Sequence, residues 1–458
     1  MGVALYSVYN ATRTNTRRPL WCRALYVRQT RRTSPMTEIN ATGCATIMQK
    51  NSRMKSTLKI TFLLILITGC RTEERIEVKF PAQEQVTSIM NEAMKRSDLP
   101  AVVAIASNTK NEEVSFAYGK AVWTENIDVT ENHIFRLWSM TKLITSVAAL
   151  QLVESGKIGL DDDLRTVLPE MSEIPLLANG KLTHPENPIT LRYLLTHTSG
   201  FGYGCCTDLE LSEFNYENWE HADAPRRFES GTQFLYGTSL EWVGKVVEKV
   251  SNSTLEDYFR RNITKPLKME RTFFNVPDSL HQFIVSSGNR GKDGKQPLME
   301  NKGRVPRKKV TRFSGDDGLW STPNDYMRLL KCLLNYGTLD NVKILNRETV
   351  VEMTKNQIGN INMDSEGNYF NSEYCCDLSG LVTNSTKWGL AWAIDNQEKE
   401  YGRKPGTVFW AGMMNTFFYI DYKSGVTACI FTQHIPFNHP ETTSLFDKFS
   451  RIIYSEIK

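Results

Sequence analysis

Apolar side chains recur along the chain with spacings that separate helices from strands. Val86, Ile89, Met90, Ala93 and Met94 share one face at helical spacing, and the run stops near Asp98-Leu99-Pro100, where proline disfavours helical geometry in the residue before it. Two strand-like runs follow, Ala101 to Ser107 and Val114 to Tyr118, joined by Asn108-Thr109-Lys110-Asn111. Near the other end, Thr416 to Asp421 and Val426 to Gln433 read as a hairpin across Tyr422-Lys423-Ser424-Gly425, and Leu445, Phe446, Phe449, Ile452, Ile453 and Ile457 line one face of a last helix. The middle, to about residue 300, is helical and loop-rich, with a helix predicted from Leu240 to Val250. This order predicts an α/β (α+β) fold: an antiparallel sheet flanked by terminal helices, with an inserted mainly helical domain. The α/β part covers about 81–138 and 301–458, and the insert about 139–300.

One stretch breaks the amphipathic pattern. From Leu143 the chain reads Leu-Ile-Thr-Ser-Val-Ala-Ala-Leu-Gln-Leu-Val, apolar on nearly every side, as in a helix enclosed by its domain. Lys142 is the only charged side chain between Arg136 and Glu154. Ser139 lies three residues before it, on the same face of one helical turn, so the amine can reach the hydroxyl. Burial of the lysine predicts a lowered pKa and a neutral amine able to act as a general base. The predicted helix begins at Ser139, where free N–H groups and the helix dipole favour a developing anion. The S-x-x-K spacing alone is unspecific, since it recurs at Ser52/Lys55, Ser56/Lys59, Ser107/Lys110 and Ser455/Lys458. A Ser N-cap followed by a snorkelling Lys is the alternative reading.

Charge divides the chain unevenly. Residues 1–53 hold nine Lys/Arg against Glu38 alone, a net +8 within a total of +4, so the remainder sums to −4. That remainder has no basic stripe with interleaved aromatics, which argues against nucleic acid as a partner. Residues 54–69 carry Lys55 and Lys59, a short apolar run and small residues, the pattern of a secretory signal. Ile67-Thr68-Gly69-Cys70 resembles a bacterial lipobox, so Cys70 is the expected lipidation site, with residues 70–80 as a tether. On this reading residues 1–53 are a mis-started or leader segment, and the membrane, through a lipid anchor, is a partner. Arg71 after the cysteine implies outer-membrane sorting on the periplasmic side; an Arg-rich organelle transit peptide is the alternative. An oxidising compartment would permit disulfides among the adjacent pairs Cys205-Cys206 and Cys375-Cys376, in no connectivity that sequence fixes. No histidines flank those pairs at zinc spacing, so neither metal nor cofactor is expected.

Several further segments give the Ser139 stretch a context. Phe135-Arg136-Leu137-Trp138-Ser139-Met140-Thr141-Lys142 resembles the first motif of the serine β-lactamase-related family, which includes class C β-lactamases, serine D-peptidases and family VIII carboxylesterases. Leu194 to Gly200 (Leu-Leu-Thr-His-Thr-Ser-Gly), Gly315 to Thr322 (Gly-Asp-Asp-Gly-Leu-Trp-Ser-Thr) and Trp388-Gly389-Leu390-Ala391-Trp392 resemble three further signatures, and the likeness covers Pro81 to Lys458. The family's Tyr-x-Asn motif falls at Tyr236-Gly237-Thr238, with threonine in place of asparagine. Its Lys-Thr-Gly motif falls at Trp410-Ala411-Gly412, where only the glycine remains.

The resemblance implies an acyl-enzyme on Ser139, with Lys142 and Tyr236 as proton carriers and the backbone N–H groups of Ser139 and Met413 as the oxyanion hole. The Tyr236 phenol, beside a cationic amine, is expected to titrate lower than in water. Thr238, Trp410 and Gly412 would contact substrate, Gly412 by leaving room for it. Trp410 offers an apolar wall where a lysine would attract a carboxylate, which favours carboxylic esters over β-lactams. A D-amino-acid peptidase, amidase or β-lactamase acting on cell-wall-like substrates is the second reading, and a non-catalytic binding protein of the same fold the third. In the enzyme readings the partner is a small-molecule ester or amide. His197 is expected to be a packing residue, since a hydrolase triad would want a G-x-S-x-G elbow and none is present.

Overall fold

In the computed structural model of the protein, which describes residues 78–456 apart from 220–222, 292–293, 364–372 and 379, the apolar runs from both ends of the chain meet in one sheet. The leader, the signal segment, Cys70 and most of the tether lie outside the described residues. The strands are β1 (Ala101–Asn108), β2 (Glu113–Gly119), β3 (Lys387–Trp388), β4 (Ala393–Asp395), β5 (Thr407–Gly412), β6 (Thr416–Asp421) and β7 (Val426–Phe431). They pair antiparallel in the order β3-β4-β5-β6-β7-β1-β2, so the N-terminal hairpin closes onto the C-terminal one through Val103 opposite Phe431 and Ile105 opposite Cys429.

Helices cover both faces, which explains why β1, β5, β6 and β7 are buried at every position and read as continuous rather than alternating apolar runs. The terminal helices α1 (Gln83–Met94) and α5 (Pro440–Ile453) pack on one face, and α4 (Pro323–Leu334) packs on the other. Strand parity separates them: Phe417 and Tyr419 meet Phe446 of α5, while Phe418 between them meets Tyr326 of α4. Between β2 and α4 lies the predicted helix-rich insert, built around α2 (Thr141–Glu154) packed on α3 (Ser239–Ser251). It also holds a small hairpin, Leu176–Ala178 with Lys181–Thr183, too short to show a period in the sequence. The chain thus has the β-lactamase/transpeptidase-like architecture expected of it.

α2 does not begin at Ser139. Residues Trp138–Met140 form a 3₁₀ turn and the α-helix proper starts at Thr141. Burial of α2 runs from Thr141 through Leu150 without a break, so no polar face marked its orientation in the sequence. Among the described residues no helix is long and apolar enough to cross a membrane.

Candidate active site

Ser139 is set by a strained turn wedged between sheet and insert. Trp138 has φ +48°, a left-handed conformation that costs a bulky residue about 1–2 kcal/mol and persists only where its surroundings hold it. Two contacts do so. The Leu137 N–H donates to the Leu319 carbonyl (2.9 Å), and the Leu137 carbonyl lies against Gly412 at the end of β5. A Cβ on Gly412 would stand 2.3 Å from that carbonyl oxygen and 2.4 Å from Thr416 Oγ1. The glycine therefore makes room for the Ser139 turn, a role the motif alone does not show. Gly412→Ala is expected to cost about 2 kcal/mol of stability, because Thr416 is fixed on β6 and Leu137 is held by its hydrogen bond to Leu319, and to lower turnover with it; urea denaturation measures the first.

Lys142 reaches back to Ser139 as its spacing predicts, Nζ to Oγ 3.0 Å, and is 2 % exposed. Three more oxygens surround the amine: the Asp316 carboxylate at 2.5 Å, the Asp316 carbonyl at 3.1 Å and the Tyr203 hydroxyl at 3.0 Å. Tyr203 in turn donates to the other Asp316 oxygen. The Gly315–Thr322 segment is laid along α2 to bring this about: Thr145 Oγ1 donates to the Gly315 carbonyl (2.7 Å), and the Leu319 N–H donates to Thr141 Oγ1 (3.1 Å). Burial, the largest single influence, would push the ammonium's pKa down, but the Asp316 carboxylate and the Tyr236 hydroxyl together outweigh it and the net direction is up. The expected neutral lysine is thus corrected, since at rest Lys142 is the cationic half of a buried ion pair. Burial raises the Asp316 carboxyl to about 6 against the opposing pull of Lys142.

Tyr236 also flanks the amine, its ring centroid 4.9 Å from Lys142 Nζ. Its hydroxyl accepts the Trp410 indole N–H at 2.9 Å. Behind it His197, at φ +55°, accepts the Gly237 N–H at Nδ1 (3.4 Å) and packs 4.5 Å from the Tyr236 ring. Trp388 completes this aromatic box and donates its indole N–H to the Leu195 carbonyl, 3.0 Å, which ties two of the sequence signatures together. His197 is wholly buried and burial pushes its pKa well down, so the ring is neutral and serves to position Tyr236. Burial also raises Tyr236, more than Lys142 lowers it. This corrects the expected lowering: the phenol rests neutral and can pass a proton on but does not wait as a phenolate.

The remaining predicted residues are placed as follows. Trp410 lies on β5 and is 6 % exposed, so little of it faces open space and its polar edge is committed to Tyr236. Thr238 is half-buried just before α3, and its hydroxyl donates to Asp223 (3.1 Å). Met413 opens the three-residue turn between β5 and β6, whose last residue, Asn415, takes the left-handed conformation (φ +59°) common at that position. Among the described residues Cys205, Cys206, Cys375 and Cys376 are not joined in disulfides; the first two stand Sγ to Sγ at 3.0 Å, well beyond bonding distance. Cys332 and Cys429 are buried core residues. Among the described residues no cluster of His, Cys, Asp or Glu could hold a metal ion.

Sequence reasoning missed Tyr203 and assigned Asp316 no role. Tyr203 follows the Leu194–Gly200 signature in Phe-Gly-Tyr-Gly, and its setting between two glycines is the only local signal. Asp316 lies inside a quoted signature, and a carboxylate there is the natural match for a lysine alone in an apolar helix.

A serine, a lysine and a tyrosine converging in a buried site between an antiparallel sheet and a helical insert define a serine hydrolase-type enzyme of the β-lactamase fold. The chain belongs to the beta-lactamase family, whose model matches residues 86–444. It is 29 % identical over 346 residues to monacolin J acid methylbutanoyltransferase of Aspergillus terreus, covering 70 % of this chain and 82 % of that one. It is 30 % identical over 244 residues to lovastatin esterase of Penicillium rubens, covering 48 % of this chain and 61 % of that one. A mutant of simvastatin synthase from Aspergillus terreus superposes with a TM-score of 0.70 at 25 % identity, over 81 % of this chain and 95 % of that one.

Proposed function

We propose that the protein cleaves carboxylic esters of small molecules through an acyl-enzyme on Ser139. The observation that carries this reading is the Ser139 Oγ to Lys142 Nζ contact of 3.0 Å inside the Tyr236–Trp410 box. Ser139 Oγ attacks the ester carbonyl as its proton passes to the buried Lys142–Asp316 ion pair, with Tyr236 as relay. The backbone N–H groups of Ser139 and Met413 bind the tetrahedral oxygen, and each such donor contributes about 3 kcal/mol. The leaving alkoxide takes the proton, and water then cleaves the acyl-enzyme.

Two features favour an ester over a β-lactam or a D-peptide. Trp410 is a neutral group where a lysine would draw a substrate carboxylate, and the Thr238 hydroxyl is already engaged by Asp223. Acyl transfer to an alcohol is the second reading. Relatives are named for transfer of a methylbutanoyl group and for lovastatin ester cleavage, and one acyl-enzyme gives either outcome according to whether alcohol or water arrives. Residues 71–458 assayed on a short-chain p-nitrophenyl ester, a chromogenic cephalosporin and a D-Ala-D-Ala peptide, with and without an added alcohol, separate these readings. Ester turnover well above the other two supports the first. Preferential cephalosporin cleavage overturns it.

The anchor belongs to the same picture. Residues 54–70 support secretion and lipidation at Cys70, which would hold the enzyme at the outer membrane on its periplasmic side. Full-length protein is expected to incorporate labelled palmitate in bacterial cells, and Cys70→Ser to lose the label. Equal labelling of the two refutes the anchor.

A further inference from the structure

We propose that Asp316 is the proton-holding partner of Lys142: it takes a proton from the ammonium as Lys142 takes one from Ser139, and Tyr203 sets how readily it does so. This rests on the acyl-enzyme reading above and deepens it. Lys142 is an ammonium at rest, and an ammonium has no lone pair with which to accept the Ser139 proton. Among its oxygen neighbours the destination for a surplus proton is the Asp316 carboxylate 2.5 Å from Nζ; the Tyr236 hydroxyl, also hydrogen-bonded to the amine, rests neutral and keeps its own proton. The carbonyl of Asp316 cannot carry a proton, and Tyr203 already uses its own to donate to the carboxylate.

The balance closes. The Ser139 O–H bond breaks and its proton bonds to Nζ; one Nζ proton moves to an Asp316 oxygen; the serine oxygen forms the bond to the carbonyl carbon, whose π electrons become the oxyanion. Lys142 stays cationic, Asp316 becomes a neutral acid, and the one negative charge has moved from carboxylate to oxyanion. When the oxyanion collapses and the ester C–O bond breaks, the leaving oxygen takes a proton from Lys142, and Lys142 recovers one from Asp316. Because the site is buried, two uncompensated charges never appear in it.

The groups facing the Asp316 carboxyl come from four elements. Lys142 stands on α2, Tyr203 and Cys205 on the loop after the Leu194–Gly200 signature, Tyr236 before α3, and Asp317 beside it with Arg136 at 3.9 Å. Burial holds the carboxyl at about 6, while hydrogen bonding from Tyr203 favours its charged form. The reacting form is the carboxylate, so the rate falls as pH drops through that value. Loss of the Tyr203 hydroxyl moves the fall to higher pH.

The test is the rate at which a fluorophosphonate, which reacts at an activated serine whatever the natural substrate, labels the enzyme across pH. Wild type is expected to label on Ser139 with an acid limb near about 6. Asp316→Asn should slow labelling at neutral pH about 100-fold and lose that limb, and Asp316→Glu should recover much of the rate and keep one. Tyr203→Phe should keep the fold and shift the limb upward. Asp316→Asn labelling at the wild-type rate with an unchanged limb overturns the assignment. Should Asp316→Asn fail to fold by thermal melting, a limb unmoved in Tyr203→Phe overturns it, since a purely structural counter-ion has no reason to respond. Wild type that does not label on Ser139 overturns the acyl-enzyme reading itself, a result distinct from either of these.

Discussion

Ser139→Ala is expected to lower ester turnover by on the order of 10⁴-fold or more, to the level left by binding and the oxyanion donors alone. The reason is that no other group can form the acyl bond. Lys142 is engaged by Tyr203, Asp316 and Tyr236, and the Tyr236 hydroxyl rests neutral against the Trp410 indole. The fold should be nearly unaffected, because the Ser139 turn is held by backbone contacts of Leu137 to Leu319 and Gly412 rather than by the serine side chain. Initial-rate kinetics with a melting curve separate the two effects. Turnover that survives in a folded variant would sink the mechanism.

Tyr236→Phe has the second largest expected effect, a loss of about 10³-fold in kcat with KM little changed. The phenol packs on Lys142, its ring centroid 4.9 Å from Nζ, and its oxygen is aimed by the Trp410 N–H at 2.9 Å. Phenylalanine keeps the ring packing on His197 and Trp388 but removes the proton relay and leaves the indole N–H without its acceptor. Trp410→Phe should be much milder, roughly tenfold or less, since one neutral hydrogen bond contributes about 1 kcal/mol. An equal loss in both variants would mean that Tyr236 acts only as a packing residue.

Much of this was legible in the chain. The amphipathic runs at 83–94 and 440–453 and the apolar strands at both ends were strong local signals, and each became an element close to its predicted bounds. Burial on both faces did not mislead, because short β-branched and aromatic runs between turn residues read as strands even without alternation. The start of α2 was misplaced because a serine before an apolar run looks like a helix N-terminus. The left-handed Trp138 that prevents it sits in a turn held by Leu319 and given room by Gly412, more than 270 residues away. The lysine's charge state was misread for a similar reason. Burial was visible in its apolar neighbours, but its counter-ion comes from Asp316 across the insert.

By itself, then, the sequence determined which chemistry the protein carries. A serine three residues before a lone lysine, a tyrosine before a helix and a glycine at the end of a strand are local facts, fixed by helical and strand periods of a few residues. Only the tertiary structure decided how that chemistry is set. The protonation of Lys142 and Tyr236, the partners Tyr203 and Asp316 and the packing of Gly412 against the Ser139 turn all depend on contacts between segments far apart in the chain. Electrostatics in a buried site acts through space over a few ångströms, and sequence order carries no record of which residues are brought within that range.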